Sequence, residues 1–348
     1  MMHTSLADSS LSTFVKQHAK EPLYYSQEWL DLITKLYGYK TTLLTTTNAL
    51  GRITGLLPLC SIQSLITGRR LVSLPFSDFC PLLAEDEESA EALIDQSIHL
   101  AQEQKVKYME LRTGSNDMLA RRHDLAEGNL YVRWLIPLNT NPDNIWSTLR
   151  KPVQHQVKKS QKKGVQVRIA QHREEMLLYY QLHLQTRSKK HGMPAQPRSY
   201  FFALWDSFAK SGAVQLLLAE YEGTVIAGMI LLASGSTIRY AYGASDEHFL
   251  SLAPNNLLLW TAINLGCAQG FETFDLGRTA IDNQGLMEFK RRWGAIQEPL
   301  SYYYYPQIAG LASTSESSWK YQMLTRTWKK LPVSVTGSLG GYLYKHLG

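Results

Sequence analysis

The sequence predicts an α/β (α+β) protein made of two consecutive halves, each with a mixed sheet flanked by helices. Three observations point to this class. Apolar runs of strand length alternate with segments of helical spacing throughout the chain. Glycine and proline separate these runs at short intervals. The 348 residues suffice for two domains of about 150 residues each.

The first half begins with an amphipathic helix, predicted over residues 23–37 because Trp29, Leu30 and Ile33 share one face. Short apolar runs bounded by turn residues follow, which is typical of strands. In order, we predict strands at about 40–47, 53–62 and 70–74, a helix at about 89–104, and strands at about 108–111 and 131–136.

The second half opens at residues 139–142, where asparagine precedes a proline suited to the first turn of a helix. Hairpin-like turns join three of its strands. In order, we predict helices at about 142–149 and 152–163, a strand at 165–169, helices at 173–191 and 198–211, strands at 213–221, 224–234 and 237–243, a helix at 255–269, a strand at 271–276, a helix at 285–293 and a strand at 302–305.

These elements divide the chain into four expected segments. They are an N-terminal extension (1–22), a first domain (23–140), a second domain (141–310) and a C-terminal tail (311–348). The tail mixes tryptophans, lysines and glycines, so it either packs against the body of the protein or contacts a membrane surface.

Composition excludes several classes of protein. A hydrophobic fraction of 44% argues against wholesale disorder. The longest apolar run, 225–233, is far shorter than the roughly 20 residues that span a bilayer, and residues 1–12 do not resemble a signal peptide. Cys60, Cys80 and Cys267 are far apart, so we expect buried free thiols in a reducing cytoplasm. No CxxC or HExxH spacing occurs, and we expect no metal site.

Positive charge is concentrated in one segment. The net charge is +6, but residues 144–205 alone carry twelve Lys or Arg and two acids, which leaves the rest of the chain at −4. We call residues 152–163 the basic helix. Its lysines, including Lys158, Lys159 and Lys162, share one face opposite Val153. Because no acids are interleaved, we favour an anionic ligand over a merely solvated face.

Three kinds of anion fit this basic face. They are the phosphates of a nucleotide- or lipid-linked saccharide acceptor, the backbone of tRNA, and anionic lipid headgroups. DNA is not among the expected partners, and the oligomeric state stays open.

The most specific pattern is Phe-Asp-Leu-Gly-Arg at 274–278, followed by a helix that carries Lys290. We predict that the strand ends at Gly277, so that Arg278 stands at its carboxyl end, where ligands bind in open α/β sheets. Asp275, Arg278 and Lys290 would then face one cleft. The alternative is an ion pair between Asp275 and Arg278 that closes the loop.

Helical spacing also predicts which side of that last helix is buried. Leu286, Phe289 and Trp293 are expected on one buried face of the helix. Lys290 is expected at the rim of that face.

The motifs resemble the FemAB-like branch of the GNAT acyltransferase superfamily. Besides 274–278, the resemblance rests on Phe-Lys-Arg-Arg-Trp-Gly-Ala at 289–295 and on the tyrosines at 302–305. It covers roughly residues 23–305, and within that branch the chain is similar to FemAB-related proteins found with exopolysaccharide and exosortase loci. The other matching segments, in order, are 55–59, 68–76, 108–112, 149–164 and 253–260.

The resemblance implies tandem GNAT-like domains and transfer of an acyl or aminoacyl group to an amine or hydroxyl of a cell-envelope saccharide or peptidoglycan-type precursor. Such transfer proceeds by direct attack, and no nucleophile motif supports a covalent enzyme intermediate. Lys290 would stabilise the oxyanion or an acceptor phosphate. Asp78 would bind or deprotonate the acceptor amine, or else cap a turn in its proline-rich loop. Asp275 completes the candidate catalytic set. Candidate substrate-binding residues are Arg278, Arg291, Arg112, Tyr242, Asn255, Asn256, Lys158, Lys159 and Lys162.

The donor is the least determined part. GNAT proteins that use acetyl-CoA carry a Q/R-x-x-G-x-G/A loop that binds pyrophosphate at a helix N-terminus. Residues 243–256 lack this loop, and Asp246 and Glu247 would repel phosphate, although Asn255 and Asn256 could cap the helix. The chain also lacks the long helical arm associated with tRNA in some relatives. Acyl-CoA and aminoacyl-tRNA both stay open as donors, and no cofactor is certain.

Two alternatives remain beside this leading hypothesis. One is a CoA-dependent N-acetyltransferase that acts on an amino sugar. The other is a non-catalytic module that binds RNA or an anionic membrane. We expect a cytoplasmic protein, which can lie against the inner face of the cytoplasmic membrane.

Overall fold

The structure, a computed structural model, describes residues 9–64, 68–307, 325–326 and 328–346. Its described residues form two compact units. Unit 1 draws on the ranges 1–132, 299–315 and 345–348, and unit 2 on 133–298 and 316–344. The expected segment boundaries at residues 22, 140 and 310 stay predictions.

The elements are numbered in chain order. The α-helices are α1 (Ser9–His18), α2 (Gln27–Tyr37), α3 (Glu87–Glu103), α4 (Asp117–Ala120), α5 (Pro142–Thr148), α6 (Lys151–Lys162), α7 (Met176–Gln185), α8 (Arg198–Phe208), α9 (Pro254–Ala268), α10 (Gln284–Arg292) and α11 (Val333–Tyr344). The strands are β1 (Lys40–Thr47), β2 (Ile53–Ser64), β3 (Gly68–Val72), β4 (Leu83–Ala84), β5 (Tyr108–Leu111), β6 (Ala126–Pro137), β7 (Gln166–Ile169), β8 (Val214–Tyr221), β9 (Thr224–Ser234), β10 (Thr237–Ser245), β11 (Thr273–Ala280) and β12 (Ile296–Tyr305).

Unit 1 contains a mixed sheet in the order β1-β2-β3-β5-β12-β6. The β3–β5 pair is parallel, whereas β1–β2, β2–β3 and β5–β12 are antiparallel. The chain returns to this unit near its end because β12 pairs with β5, with Tyr303 opposite Leu111. Helix α3 packs on the sheet and buries Leu93 against Leu57 and Leu59 in the core.

Unit 2 contains strands in the order β6-β11-β10-β9-β8-β7. The β10–β11 pair is parallel, and β7 to β10 form an antiparallel meander. Helix α7 packs closely on β9, because a Cβ at Gly228 would lie only 2.9 Å from the ring of Tyr179. The α/β class predicted from the sequence is confirmed.

Strand β11 differs from the prediction at its end. It does not stop at Gly277 but continues to Ala280. Gly277 takes a positive φ of 75° inside the strand, a conformation that glycine adopts readily. The strand therefore bends at Gly277 and continues in the sheet. Arg278 therefore lies within the strand.

The predicted single helix at 173–191 is divided into three pieces. A 3₁₀ turn (Arg173–Glu175) precedes α7, and a π-helix (Thr186–His191) follows it. The wider π turn is held by a tertiary contact, since the Thr186 hydroxyl exchanges 3.2 Å hydrogen bonds with the backbone of Ser245.

Three helices, α1, α4 and α11, were not predicted from the sequence. Helix α1 buries Leu11, Phe14 and Val15 within the expected N-terminal extension. Helix α11 lies in the tail, where Gly337 and Gly340 lower the intrinsic helix propensity. Its glycines are explained by close packing, described below. No helix among the described residues combines the length and apolar character needed to cross a bilayer.

Candidate functional site

Asp275 lies at the centre of a buried charge cluster in unit 2. Its side chain is fully buried and accepts hydrogen bonds from Arg133 at 2.9 and 3.1 Å. Arg239, which faces Asp275 in the β10–β11 register, approaches the same oxygen to 3.6 Å. The Gly277 amide donates to the other carboxylate oxygen at 2.7 Å. Burial places Asp275 beneath the surface, contrary to the expectation that it faces a cleft.

Lys290 is buried as well, with only 5% of its surface exposed. Its ammonium donates hydrogen bonds to the backbone oxygens of Gly277 at 2.9 Å and Arg278 at 3.1 Å. A buried ammonium requires such partners, because desolvation without hydrogen bonds is costly. Lys290 therefore ties α10 to the glycine bend of β11.

The predicted buried face of α10 is wrong in part. Leu286 is 37% exposed, and the side that packs inward carries Met287, Lys290 and Trp293. Lys290 lies within this buried stripe rather than at its rim. The spacing rule missed this because it assigns a lysine to the solvent side, whereas two backbone carbonyls accept its protons here.

Arg291 lies on the exposed side of α10. Its guanidinium donates to Glu288 at 2.7 Å and lies 6.0 Å from the centre of the Trp134 ring. Arg292, Arg291 and Arg150 surround the Glu288 carboxylate and hold its pKa below the usual range. A substrate role for Arg291, and for the half-buried Arg278, stays a prediction.

In unit 1, Asp78 belongs to a loop with unusual backbone geometry. Leu74 and Phe76 take positive φ angles of 94° and 66°, which are strained for residues with side chains. The Tyr302 hydroxyl donates to the Asp78 backbone oxygen at 2.7 Å, and Asp78 itself is half-buried. The surrounding structure therefore holds this loop in one conformation.

Arg112 is the buried support of the same loop. Its guanidinium donates to Glu110 at 2.6 Å and to the backbone oxygen of Ser77 at 2.8 Å. It also lies 5.7 Å from the centre of the Tyr302 ring. Because Arg112 is only 9% exposed, its contacts position the Asp78 loop.

The expected donor turn precedes α9 in unit 2. Burial opposes ionisation of Asp246, but hydrogen bonds from His248 lower its pKa. Ala253 takes a positive φ of 55° just before Pro254 begins the helix. The Asn255 side chain donates to the Ser245 hydroxyl at 3.1 Å. At Asn256 it is the backbone N–H that donates, to the Ala253 backbone oxygen at 3.1 Å.

Tyr242 belongs to an aromatic cluster near this turn. Its hydroxyl lies 2.8 Å from that of buried Tyr200, and its ring meets Phe201 edge-on at 5.5 Å. His183 also packs edge-on against Phe201, and burial lowers its pKa to about 3. No signal in the sequence distinguishes His183, because a helical histidine is equally typical of an exposed face.

The orientation predicted for the basic helix is confirmed in α6. Val153, Val157 and Ser160 are buried, whereas Lys158 and Lys162 are exposed and Lys159 is half-buried. The structure adds an aromatic pair beside these cations. The ring of Trp146 lies 4.7 Å from that of Trp260, and the Lys158 ammonium lies 5.7 Å from the Trp146 ring centre.

The cysteines agree with the expectation of buried thiols. Cys60, Cys80 and Cys267 are all free and buried, and burial raises the pKa of the Cys80 thiol to about 12. Within the described ranges, no group of three His, Cys, Asp or Glu side chains is placed to hold a metal ion.

Comparison with known proteins finds similar sequences and a similar fold. Residues 147–291 match the family described as acetyltransferase (GNAT) domain. The Lipid II:glycine glycyltransferase of Staphylococcus epidermidis RP62A is 32% identical over 91 residues, which are 24% of this chain and 22% of that protein. Its Staphylococcus aureus counterpart is 34% identical over 79 residues, covering 21% and 19%. The FemX crystal structure superposes with a TM-score of 0.68 at 17% identity, covering 87% and 96% of the two chains.

The chain is therefore similar to the FemAB-like branch of the GNAT superfamily, and its residues 147–291 match a GNAT acetyltransferase domain. The chain spans about a fifth of the length of these two curated relatives. A tandem GNAT protein from the clavulanic acid biosynthesis pathway shares its fold, with a TM-score of 0.53 at 12% identity over 90% of this chain and 98% of that one.

Proposed function

We propose that the protein is an acyltransferase that moves an acyl or aminoacyl group to an amine or hydroxyl of a cell-envelope saccharide or peptidoglycan-type precursor. The observation that carries this proposal is the similarity to the two Lipid II:glycine glycyltransferases. The buried lysine on α10 and the cationic face of α6 support it, because acyl transfer to a phosphate-bearing acceptor needs fixed positive charge.

In the proposed reaction, the acceptor nitrogen or oxygen attacks the carbonyl carbon of the donor ester or thioester. The new C–N or C–O bond forms, the bond to the donor's leaving group breaks, and the attacking group loses a proton. Lys290 supplies positive charge near the oxyanion from a water-poor position. We propose separately that Asp78, in unit 1, binds or deprotonates an amine, and that Arg112 holds the Asp78 loop through its hydrogen bond to the Ser77 backbone oxygen.

Asp275 has a different part in this proposal. Because it is fully buried between Arg133 and Arg239, it acts as a positioning residue that fixes β11, on whose backbone Lys290 is held. Arg278 and Arg291 orient acidic groups of the substrates.

We propose aminoacyl-tRNA as the donor. The lysines of α6 offer an electrostatic track for a phosphate backbone, and Trp146 with Trp260 offers rings on which unpaired bases can stack. The turn before α9 lacks the pyrophosphate-binding loop of acetyl-CoA enzymes. A lipid-linked acceptor would place the protein at the inner face of the cytoplasmic membrane.

The proposal is tested by mixing the purified protein with either a set of aminoacyl-tRNAs or acetyl-CoA. Each donor is incubated with lipid II and, separately, with the nucleotide-linked precursor of lipid II. The masses of the products are then measured by mass spectrometry. We expect the mass of one aminoacyl residue to be added from tRNA. Transfer from acetyl-CoA alone, onto an amino sugar, would support the N-acetyltransferase alternative. No transfer from any donor, with RNA binding retained, would support the non-catalytic module.

A further inference from the structure

Helix α11 exposes an apolar stripe to solvent. Val335, Leu339 and Tyr342 are 39%, 45% and 53% exposed. Because they are spaced by four and three residues, they lie along one side of the helix. Side chains of this kind are exposed singly on most proteins, whereas a stripe on one helix face indicates a contact surface.

The opposite side of α11 is already occupied. Thr336 is fully buried, and a Cβ at Gly340 would lie 3.0 Å from the backbone nitrogen and oxygen of Ala195. A Cβ at Gly341 would lie 3.1 Å from the Pro197 side chain. Glycines thus allow α11 to dock closely, and the docked face fixes the direction of the stripe. A rotation that buried the stripe would bring larger side chains against this close backbone contact.

The start of α11 is also anchored. The Lys189 ammonium, on the π-helix, donates to the backbone oxygens of Lys329 at 3.3 Å and Leu331 at 2.8 Å. The segment that leads into the helix is therefore fixed to the π-helix within unit 2.

Positive charge surrounds the stripe. Residues 317–348 contain five Lys or Arg and no acid. Lys329 and Lys330 are exposed just before α11. Exposed Arg198 and Tyr342 line one open cavity of about 500 Å³ that runs beside α11. An apolar stripe with exposed cations beside it is complementary to a membrane surface, where anionic headgroups lie above an apolar interior.

We infer that α11 is an interfacial anchor that lies on an anionic phospholipid surface. Val335, Leu339 and Tyr342 enter the headgroup region, while Lys329, Lys330 and Arg198 contact lipid phosphates. Each such cation contributes about 1 kcal/mol to the free energy of binding to an anionic surface. The binding is therefore reversible and sensitive to salt. The inference deepens the proposed function and rests on it only for placing a membrane near the enzyme.

The test measures sedimentation of the full chain with phosphatidylcholine vesicles that contain or lack phosphatidylglycerol. We expect binding only when phosphatidylglycerol is present, with release at high salt. The stripe variant V335S/L339S/Y342S should bind about tenfold or more weakly, because it removes the buried apolar area. The matched control replaces three apolar side chains that are exposed elsewhere, Leu50, Leu250 and Ile296, with serine and should bind as the wild type does.

Three results would overturn the inference. The first is no sedimentation of the wild type with anionic vesicles, and the second is equal binding by the stripe variant. The third is a dimer in light scattering that the stripe variant abolishes without any vesicle binding, which would make the stripe an interface between copies of this chain. Circular dichroism checks that every variant is folded. Turnover on the nucleotide-linked acceptor separates the two proposals, since the stripe variant should keep it even if vesicle binding is lost.

Discussion

The ammonium of Lys290 donates a 2.9 Å hydrogen bond to the backbone oxygen of Gly277, which joins α10 to the bend in β11. The bond depends on two features at once. Gly277 must take its positive φ so that β11 bends there, and Lys290 must lie on the buried face of α10. The result is a fixed cation in a water-poor position, which is the arrangement that stabilises a developing negative charge.

We predict that Lys290→Met lowers turnover by about 100-fold or more, because it removes this charge while keeping most of the side-chain volume. The variant should also lose about 1–3 kcal/mol of unfolding free energy, since the acceptor oxygens of Gly277 and Arg278 lose a donor. Turnover and urea unfolding measure the two effects separately. The matched control is Arg292→Met, an exposed cation on the same helix, which should change neither greatly. Near-normal turnover in Lys290→Met would leave the lysine with a structural role alone.

Asp275→Asn should destabilise the protein by about 3–5 kcal/mol. The substitution leaves the buried Arg133 and Arg239 without the carboxylate that compensates their charge. Glu288→Gln is the control, because that carboxylate is 33% exposed and its arginines can be solvated instead. Equal unfolding midpoints for the two variants in urea would show that the Asp275 cluster adds little to stability.

The basic face of α6 is tested by replacing Lys158, Lys159, Lys162 and Lys163 together with glutamine. Their helix face is solvent-accessible, so circular dichroism should show an intact fold. Affinity for tRNA should fall. A plot of log affinity against log salt concentration should become shallower by about one unit of slope for each phosphate that the variant no longer neutralises. As a control, four exposed lysines elsewhere are replaced, at 16, 20, 35 and 210. An unchanged slope in the α6 variant would reduce the face to a solvated surface.

Acetyl-CoA should not raise the melting temperature, even at millimolar concentration. The turn before α9 carries Asp246 and lacks the glycine loop that binds pyrophosphate. Differential scanning fluorimetry with tRNA as the comparison ligand measures the effect. A shift of several degrees that saturates at micromolar acetyl-CoA would contradict this prediction and favour the CoA-dependent alternative.

His183 should make stability depend on pH in mildly acidic solution. Burial lowers its pKa to about 3 from an unfolded value near 6.5, so the unfolded chain binds the extra proton between these values. Stability is therefore retained above pH 6.5 and falls toward pH 3, by up to about 1.4 kcal/mol per pH unit from this residue. Urea unfolding of wild type and His183→Asn between pH 7 and pH 5 measures the slope. A variant slope equal to that of the wild type would rule out His183 as its source.

Much of the fold was predictable because its elements have clear periodicity. The strands at 40–47 and 224–234 lie where the apolar runs place them, and α6 turns its valines inward as its spacing requires. Helix α11 was missed for a physical reason. Its glycines disfavour an isolated helix, and only the close approach to Ala195 and Pro197 explains why a helix forms there.

The candidate site was predictable in its residues but not in their contacts. The motif at 274–278 directed attention to Asp275, yet its partner Arg133 is 142 residues away in the chain. No local spacing relates these two residues, since they meet only when β6 is placed beside β11. The Trp146–Trp260 pair was missed for the same reason.

By itself, the sequence determined the alternation of strands and helices, the cationic face of α6 and the resemblance to FemAB-like proteins. These properties are local, because they depend on the order of side chains along one element. The tertiary structure decided that Asp275 is buried, that Lys290 points inward and that α11 presents an apolar stripe. Those outcomes depend on strand register and helix docking, which bring distant groups together and determine which charges are removed from water.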